Sequence, residues 1–262
     1  MKRRIWELDF LRGFAIIMMI FDHLMYDFMY MPVFFSNFNQ VDNPTFNWLS
    51  DMGLSYWLSG LRFFGHFFFV ALFLIISGIS FTFSKNNLSR GLKLSIVAIL
   101  ITLVTFALDY FLSMEMIIVF GIIHLYALSI ILTYLIRKLI KNEIVILVIS
   151  LIVIFVGFLI KFYNPVFLAS FSWAELWKII IGINAYGADY FGLIPYFGFI
   201  LLGTVLGKAF YSNRQSLIPQ VNIPEKNIVM IAGRRSLLIF ITHQIVLIAL
   251  IYIIGFIFGY RY

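Results

Sequence analysis

Five ionisable side chains crowd the first apolar stretch of the sequence: Asp9, Arg12, Asp22, His23 and Asp27. An α-helix turns 100° per residue, so Arg12 and His23, eleven positions apart, differ by only ~20° around the axis. Asp9, Tyr26, Asp27 and Tyr30 fall near the same stripe, whereas Asp22 points ~100° away from His23, toward a neighbouring helix. A charged group at the centre of a bilayer costs roughly 2.5–3.5 kcal/mol, so this stripe must line a polar cavity or meet partners in a bundle. Arg12 sits near one boundary of the stretch and His23 lies ~16 Å farther along. That spacing suits a fixed cation for an anionic ligand at one end and an imidazole acid/base at the other. The plainer alternative has Arg12 snorkelling to lipid phosphates and His23 hydrogen-bonding within the core.

Other polar residues fall in apolar surroundings farther along. His124 sits in the outer part of the fourth apolar stretch, and His66 near the outer end of the second, where an interfacial position accounts for it. Asp189 lies just before the sixth stretch; its carboxylate could orient an imidazole, accept a proton from an incoming amine or hydroxyl, or cap a helix N-terminus. The seventh stretch opens with Gly233-Arg234-Arg235-Ser236 and reaches His243-Gln244. Ser236 and His243 are seven apart and share a helical face. Arginines at that mouth suit a phosphate-rich ligand, although ordinary loop charge also explains Arg234 and Arg235.

These groups must be held by helices in lipid. Of the 262 residues, 63% are hydrophobic and 12% charged, with a mean hydropathy of +1.01, more apolar surface than a water-soluble domain of this size can bury. A spanning helix needs ~20 mostly apolar residues, and seven stretches qualify: 10–31, 61–83, 92–112, 117–136, 144–163, 190–210 and 236–258. The first follows Met1-Lys2-Arg3-Arg4, yet it is too long for a signal h-region and lacks a small-x-small cleavage site, so it reads as a retained helix. The expected architecture is an all-α polytopic bundle of about seven spans, forming a single membrane-embedded domain over residues 1–262. Setting Arg12 aside, 14 Lys and Arg residues fall in one set of alternating loops and four (Arg62, Lys161, Lys178, Arg261) in the other. The positive-inside rule then puts the N-terminus in the cytoplasm and the C-terminus outside. It also explains the net charge of +7 without nucleic acid as a partner. With no cysteine and four unclustered histidines, no metal is expected. The outside segments 32–60 and 164–189 are longer than a connection requires. Their Trp residues read as interfacial anchors or, with the neighbouring amides, as cover for an outward site that binds a polar acceptor such as a sugar.

Several of these residues stand in a familiar order. The spacing Arg12-x10-His23 within Glu7-Leu8-Asp9-Phe10-Leu11-Arg12-Gly13 is followed by Leu74-Ile75-Ile76-Ser77-Gly78-Ile79-Ser80 and Phe120-Gly121-Ile122-Ile123-His124. Next come Asp189-Tyr190 with Ile194-Pro195-Tyr196, and Gly233-Arg234-Arg235-Ser236-Leu237 with Ile241-Thr242-His243-Gln244. The ordered set, spanning nearly the whole chain, resembles the catalytic domain of heparan-α-glucosaminide N-acetyltransferase-type enzymes, especially short bacterial members, within the transmembrane acyltransferases. The resemblance implies a multi-pass enzyme of the bacterial cytoplasmic membrane. Such an enzyme takes acetyl from cytoplasmic acetyl-CoA, its co-substrate, and passes it to an amine or hydroxyl of an extracytoplasmic sugar or glycan. It further implies His23 as catalytic acid/base with Asp189 and His124 supporting the acceptor side. Arg12, Arg234, Arg235, Ser236 and His243 would lie toward CoA, with Asp9, Asp22 and Asp27 as a supporting polar stripe. Direct attack by the acceptor would need no cysteine. One departure is plain: longer lysosomal relatives carry a histidine in the outside loop after the first helix, and residues 32–60 contain none. Neither an acetyl-histidine at that loop nor the glucosaminide acceptor therefore carries over.

Two other functions remain open at this level. Intramembrane Arg, Asp and His would equally serve a small proton-coupled transporter using the Arg12/His23 stripe, although no internal repeat of the kind carriers often show is present. A non-catalytic membrane subunit could use the stripe to bind a partner helix, or a second copy in a homo-oligomer.

Overall fold

Long apolar runs in a chain with few prolines can satisfy their backbone in lipid only as helices, and helices dominate. The computed structural model describes residues 5–112, 117–162, 166–221, 223–224 and 226–262. The Lys2-Arg3-Arg4 cluster and residues 164–165 of the second outer loop lie outside the described residues. The helices are α1 (Trp6–Phe34), α2 (Pro44–Trp57), α3 (Gly60–Phe81), α4 (Asn87–Leu112), α5 (Ile122–Leu139), α6 (Glu143–Phe162), α7 (Leu176–Ile181), α8 (Leu193–Phe210), α9 (Ile228–Arg234) and α10 (Ser236–Ile257). Six of them, α3, α4, α5, α6, α8 and α10, are long and apolar enough to cross a membrane. The first helix is the longest at 29 residues, ~44 Å, and carries the ionisable stripe. Ile96, Ile99, Leu100 and Leu103 on α4, and Leu151, Ile152 and Phe155 on α6, are exposed. Such continuous apolar faces call for lipid, not water, as their solvent. The protein is an all-α polytopic membrane bundle.

The contacts divide the chain into two compact units, residues 1–73 with 218–262 and residues 74–217. In the first unit, α1 packs against α2, α9 and α10. Backbone meets backbone where α1 crosses α9: a Cβ at Gly13 would stand 1.8 Å from the Val229 carbonyl oxygen, and one at Gly233 1.8 Å from that of Asp9. Only glycine fits either position. At the far end Tyr260 stacks on Phe46, ring centroids 4.6 Å apart, within a cluster that includes Met31, Phe35, Phe38 and Ile251. The Asn37 amide donates to the Gly259 carbonyl and its oxygen accepts from the Arg261 N–H. The start of α1 thus lies by α9 and its end by the last residues of α10, so α1 and α10 run side by side in the same direction.

In the second unit α4 packs on α5, and α8 on α5 and α6. Gly203 of α8 meets the second half of α3, where its Cβ would stand 2.1 Å from the Ile75 carbonyl oxygen. Gly207, one turn farther along α8, comes similarly close to Ile79 and Thr82, where its Cβ would stand 3.1 and 2.9 Å away. Arg137 of α5 donates to the Glu143 carboxylate of α6 at 2.6 Å and to the Thr204 hydroxyl of α8 at 2.6 Å, and Lys208 adds a 2.6 Å contact to Glu143. One end of three helices is bound by that cluster. The long segment before α8 forms a small structure of its own, in which Val166–Phe167 pairs in parallel with Asn184–Ala185.

Candidate active site

The α1–α9 crossing places the first polar group. Because Gly13 and Gly233 let the backbones touch, the next residue, Arg234, reaches back to Asp9. Its Nε stands 3.6 Å from Asp9 Oδ2, while Arg12, one turn farther along α1, donates to Asp9 Oδ1 at 3.0 Å. One carboxylate thus lies between two guanidiniums, all three half-buried. Arg235 is exposed and Ser236 half-buried at the break between α9 and α10. Two guanidiniums gathered on one carboxylate concentrate positive charge there, and guanidinium geometry matches phosphate oxygens in pairs.

The second group lies farther along α1, where α10 runs beside it. The rings of His23 and His243 meet edge to face, centroids 4.8 Å apart at 79°. His23 Nδ1 lies 2.9 Å from the Met19 carbonyl oxygen. A carbonyl can only accept, so Nδ1 carries the hydrogen and Nε2 keeps its lone pair. His243 is held the same way, its Nδ1 2.8 Å from the Phe240 carbonyl oxygen, and its buried Nε2 has no hydrogen-bond partner among the described residues. Both imidazoles are therefore fixed in the tautomer that presents Nε2 as a base.

Asp22 points off the stripe and, as its 100° offset implied, meets neighbouring helices. It accepts from Arg62 Nε of α3 at 3.2 Å and from the Tyr56 hydroxyl of α2 at 3.1 Å, and His66 Nδ1 lies 3.2 Å from its other oxygen. The Arg62 guanidinium lies 3.6 Å over the Trp57 ring. Sequence reasoning left Tyr56 and Arg62 out of the site and read His66 as interfacial. The available signal was Arg62, an outside cation within a turn of His66. Burial, and next to it the Asp22 charge, push the Tyr56 hydroxyl up to about 12, so it remains a donor to the carboxylate at neutral pH. One turn beyond His23, the fully buried Asp27 accepts from the Gln244 amide at 2.7 Å.

His124 and Asp189 belong to the second unit and meet at one place there. Thr102 Oγ1 donates to the Ile118 carbonyl, 2.8 Å away, and lies 2.9 Å from His124 Nε2. The hydroxyl proton is used, so Nε2–H donates to Thr102, and Nδ1 accepts from the Gly121 N–H at 3.3 Å. Asp189 caps α5 from outside it, Oδ2 accepting from the Ile122 N–H at 3.3 Å. Burial pushes its carboxyl up to about 7. These contacts hold the 117–122 turn, which is why α5 starts at Ile122 and not at the beginning of the apolar stretch.

Comparison with known proteins agrees with the ordered motifs. Residues 4–245 match the family model for heparan-alpha-glucosaminide N-acetyltransferase, catalytic. Searches of curated proteins and of solved structures gave no match. The match takes in α1 with its polar stripe, both histidines of the His23–His243 pair and the arginines at the α9–α10 break, and by it the chain belongs to the heparan-alpha-glucosaminide N-acetyltransferase catalytic family.

Proposed function

We propose that this protein is a membrane-embedded acyltransferase. It moves an acetyl group from cytoplasmic acetyl-CoA to an amine or hydroxyl of a sugar or glycan on the outer side of a bacterial cytoplasmic membrane. The observation that carries this reading is the pairing along α1: two arginines on Asp9 at one end, and two imidazoles presenting Nε2 about ten residues beyond. Membership in an acetyltransferase family supplies the class of chemistry. Arg12, Arg234 and Arg235, with Ser236 beside them, hold CoA phosphates, and the pantetheine arm runs along the helix toward His23.

His23 Nε2 takes the proton of the acceptor as its nitrogen or oxygen attacks the thioester carbonyl. The new C–N or C–O bond forms, the C–S bond breaks, and the CoA thiolate leaves, receiving the proton that His23 holds. His243 orders the His23 ring from α10. Asp22, clamped by Arg62 and Tyr56, fixes the rotation of α1. His124 and Asp189 support the outer side by holding the 117–122 turn.

Purified protein incubated with labelled acetyl-CoA and a panel of amino sugars and glycan alcohols should release CoA with at least one acceptor. His23→Ala should lower kcat by ~100- to 10,000-fold, the usual worth of a positioned acid/base. Arg12→Ala should chiefly raise the KM for acetyl-CoA, by ~10-fold or more for one charge-assisted contact. Absence of both CoA binding and CoA release across the panel would refute the reading, and a fully active His23→Ala variant would refute the assignment of the base.

A further inference from the structure

Asp27 and Gln244 share an anomaly. Asp27 is 0% exposed and accepts one hydrogen bond, from Gln244 Nε2 to Oδ1 at 2.7 Å. Its other oxygen, Oδ2, is buried without a hydrogen-bond partner among the described residues, and so is Oε1 of the same Gln244. An ionised carboxylate so placed, buried where α1 packs on α10, would leave most of its acceptor capacity unmet, which burial of a charge strongly disfavours. A single proton resolves both vacancies. Placed on Oδ2 it becomes a donor, and the unused acceptor Oε1 belongs to the same amide that already donates to Oδ1.

We propose that Asp27 carries its proton and closes a two-hydrogen-bond acid–amide ring with Gln244, and that this ring is the positioning device for the His23–His243 pair. Asp27 lies four residues beyond His23, one turn along the same face of α1. Gln244 follows His243 directly on α10. The ring therefore pins α1 to α10 immediately beside the place where the two imidazoles meet, with a neutral pair that suits a lipid-surrounded interface. No bond to substrate is assigned to Asp27; it acts through the two histidines. This inference rests on the acyltransferase reading for its consequence but not for its chemistry.

The test therefore has two independent readouts. The infrared difference between wild type and Asp27→Asn at neutral pH should contain a protonated-carboxyl carbonyl band, separate from any that Asp189 contributes to both spectra. This band should shift in Gln244→Leu. In the acetyl-transfer assay Asp27→Leu should lower kcat with little change in the KM for acetyl-CoA. Asp27→Asn, whose amide can rebuild the paired ring, should recover kcat at least ~10-fold relative to Asp27→Leu, as one restored hydrogen bond would. Identical wild-type and Asp27→Asn spectra in the carboxyl region would overturn the proposal, as would an Asp27→Asn variant no more active than Asp27→Leu. Wild-type protein that shows the band but transfers no acetyl would instead overturn the proposed function and leave the acid–amide ring standing.

Discussion

The histidines illustrate how backbone contacts can define chemistry. In His23 and His243 each Nδ1–H is tied to a carbonyl within its own helix, which leaves Nε2 as the basic atom. In His124 the arrangement is reversed, since Nδ1 accepts and Nε2 donates, so both nitrogens are occupied in holding a turn. Asp189, beside that turn, offers a direct check. Burial raises its carboxyl from 3.8 to about 7, so the folded protein favours the neutral acid. Its contribution to stability is complete below pH 3.8 and is lost as pH rises through about 7, because only the unfolded chain ionises readily there. Thermal unfolding of the wild type should fall to lower temperature across that window. Asp189→Asn should flatten the dependence, since Asn keeps an oxygen for the Ile122 N–H and tolerates the left-handed backbone at this position (φ 47°). An unchanged slope in the variant would count against the buried-acid account.

At the scale of elements, the short helices matter as much as the long ones. The seven apolar stretches correspond to α1, α3, α4, α5, α6, α8 and α10; six of these helices are long and apolar enough to cross a membrane, and α1, with its ionisable stripe, is not among the six. The seven-residue α9 was not legible, being too short to stand out from a charged loop. Yet α9 brings Arg234 to Asp9. Asp22 was legible in direction, from helical geometry alone, but its partners Arg62 and Tyr56 were not, because one sequence does not fix which faces of two helices meet. The Gly13–Gly233 crossing is the feature on which the Asp9–Arg234 contact, and so the proposed anionic-ligand end, depends. Gly233→Ala should destabilise the first unit by ~1–3 kcal/mol or more, as overpacking does, and should raise the KM for acetyl-CoA by spreading Arg234 from Asp9. An alanine variant with wild-type melting temperature and KM would show that the two backbones can separate without consequence.

At the scale of the molecule, the direction of α1 decides whether the proposed transfer across a membrane can run along its polar stripe. The loop charges assign the N-terminus to the cytoplasm, and α1 and α10 run in the same direction within one unit. With α3, α4, α5, α6 and α8 crossing between them, an odd number of intervening spans returns the chain to the side on which α1 began. The parallel packing fits an odd number of crossings between α1 and α10, while the side on which the N-terminus lies rests on the loop charges alone. Since the chain contains no cysteine, any introduced thiol is its sole reactive site. Asn39→Cys and Ser212→Cys both replace exposed residues in connections outside the spans. In intact cells a membrane-impermeant maleimide should label the first variant at once and the second only after permeabilisation. The reverse pattern would place the arginines outside and the histidines toward the cytoplasm. Acetyl-CoA, confined to the cytoplasm, would then meet the imidazoles first, and the proposed path along α1 would have to be abandoned.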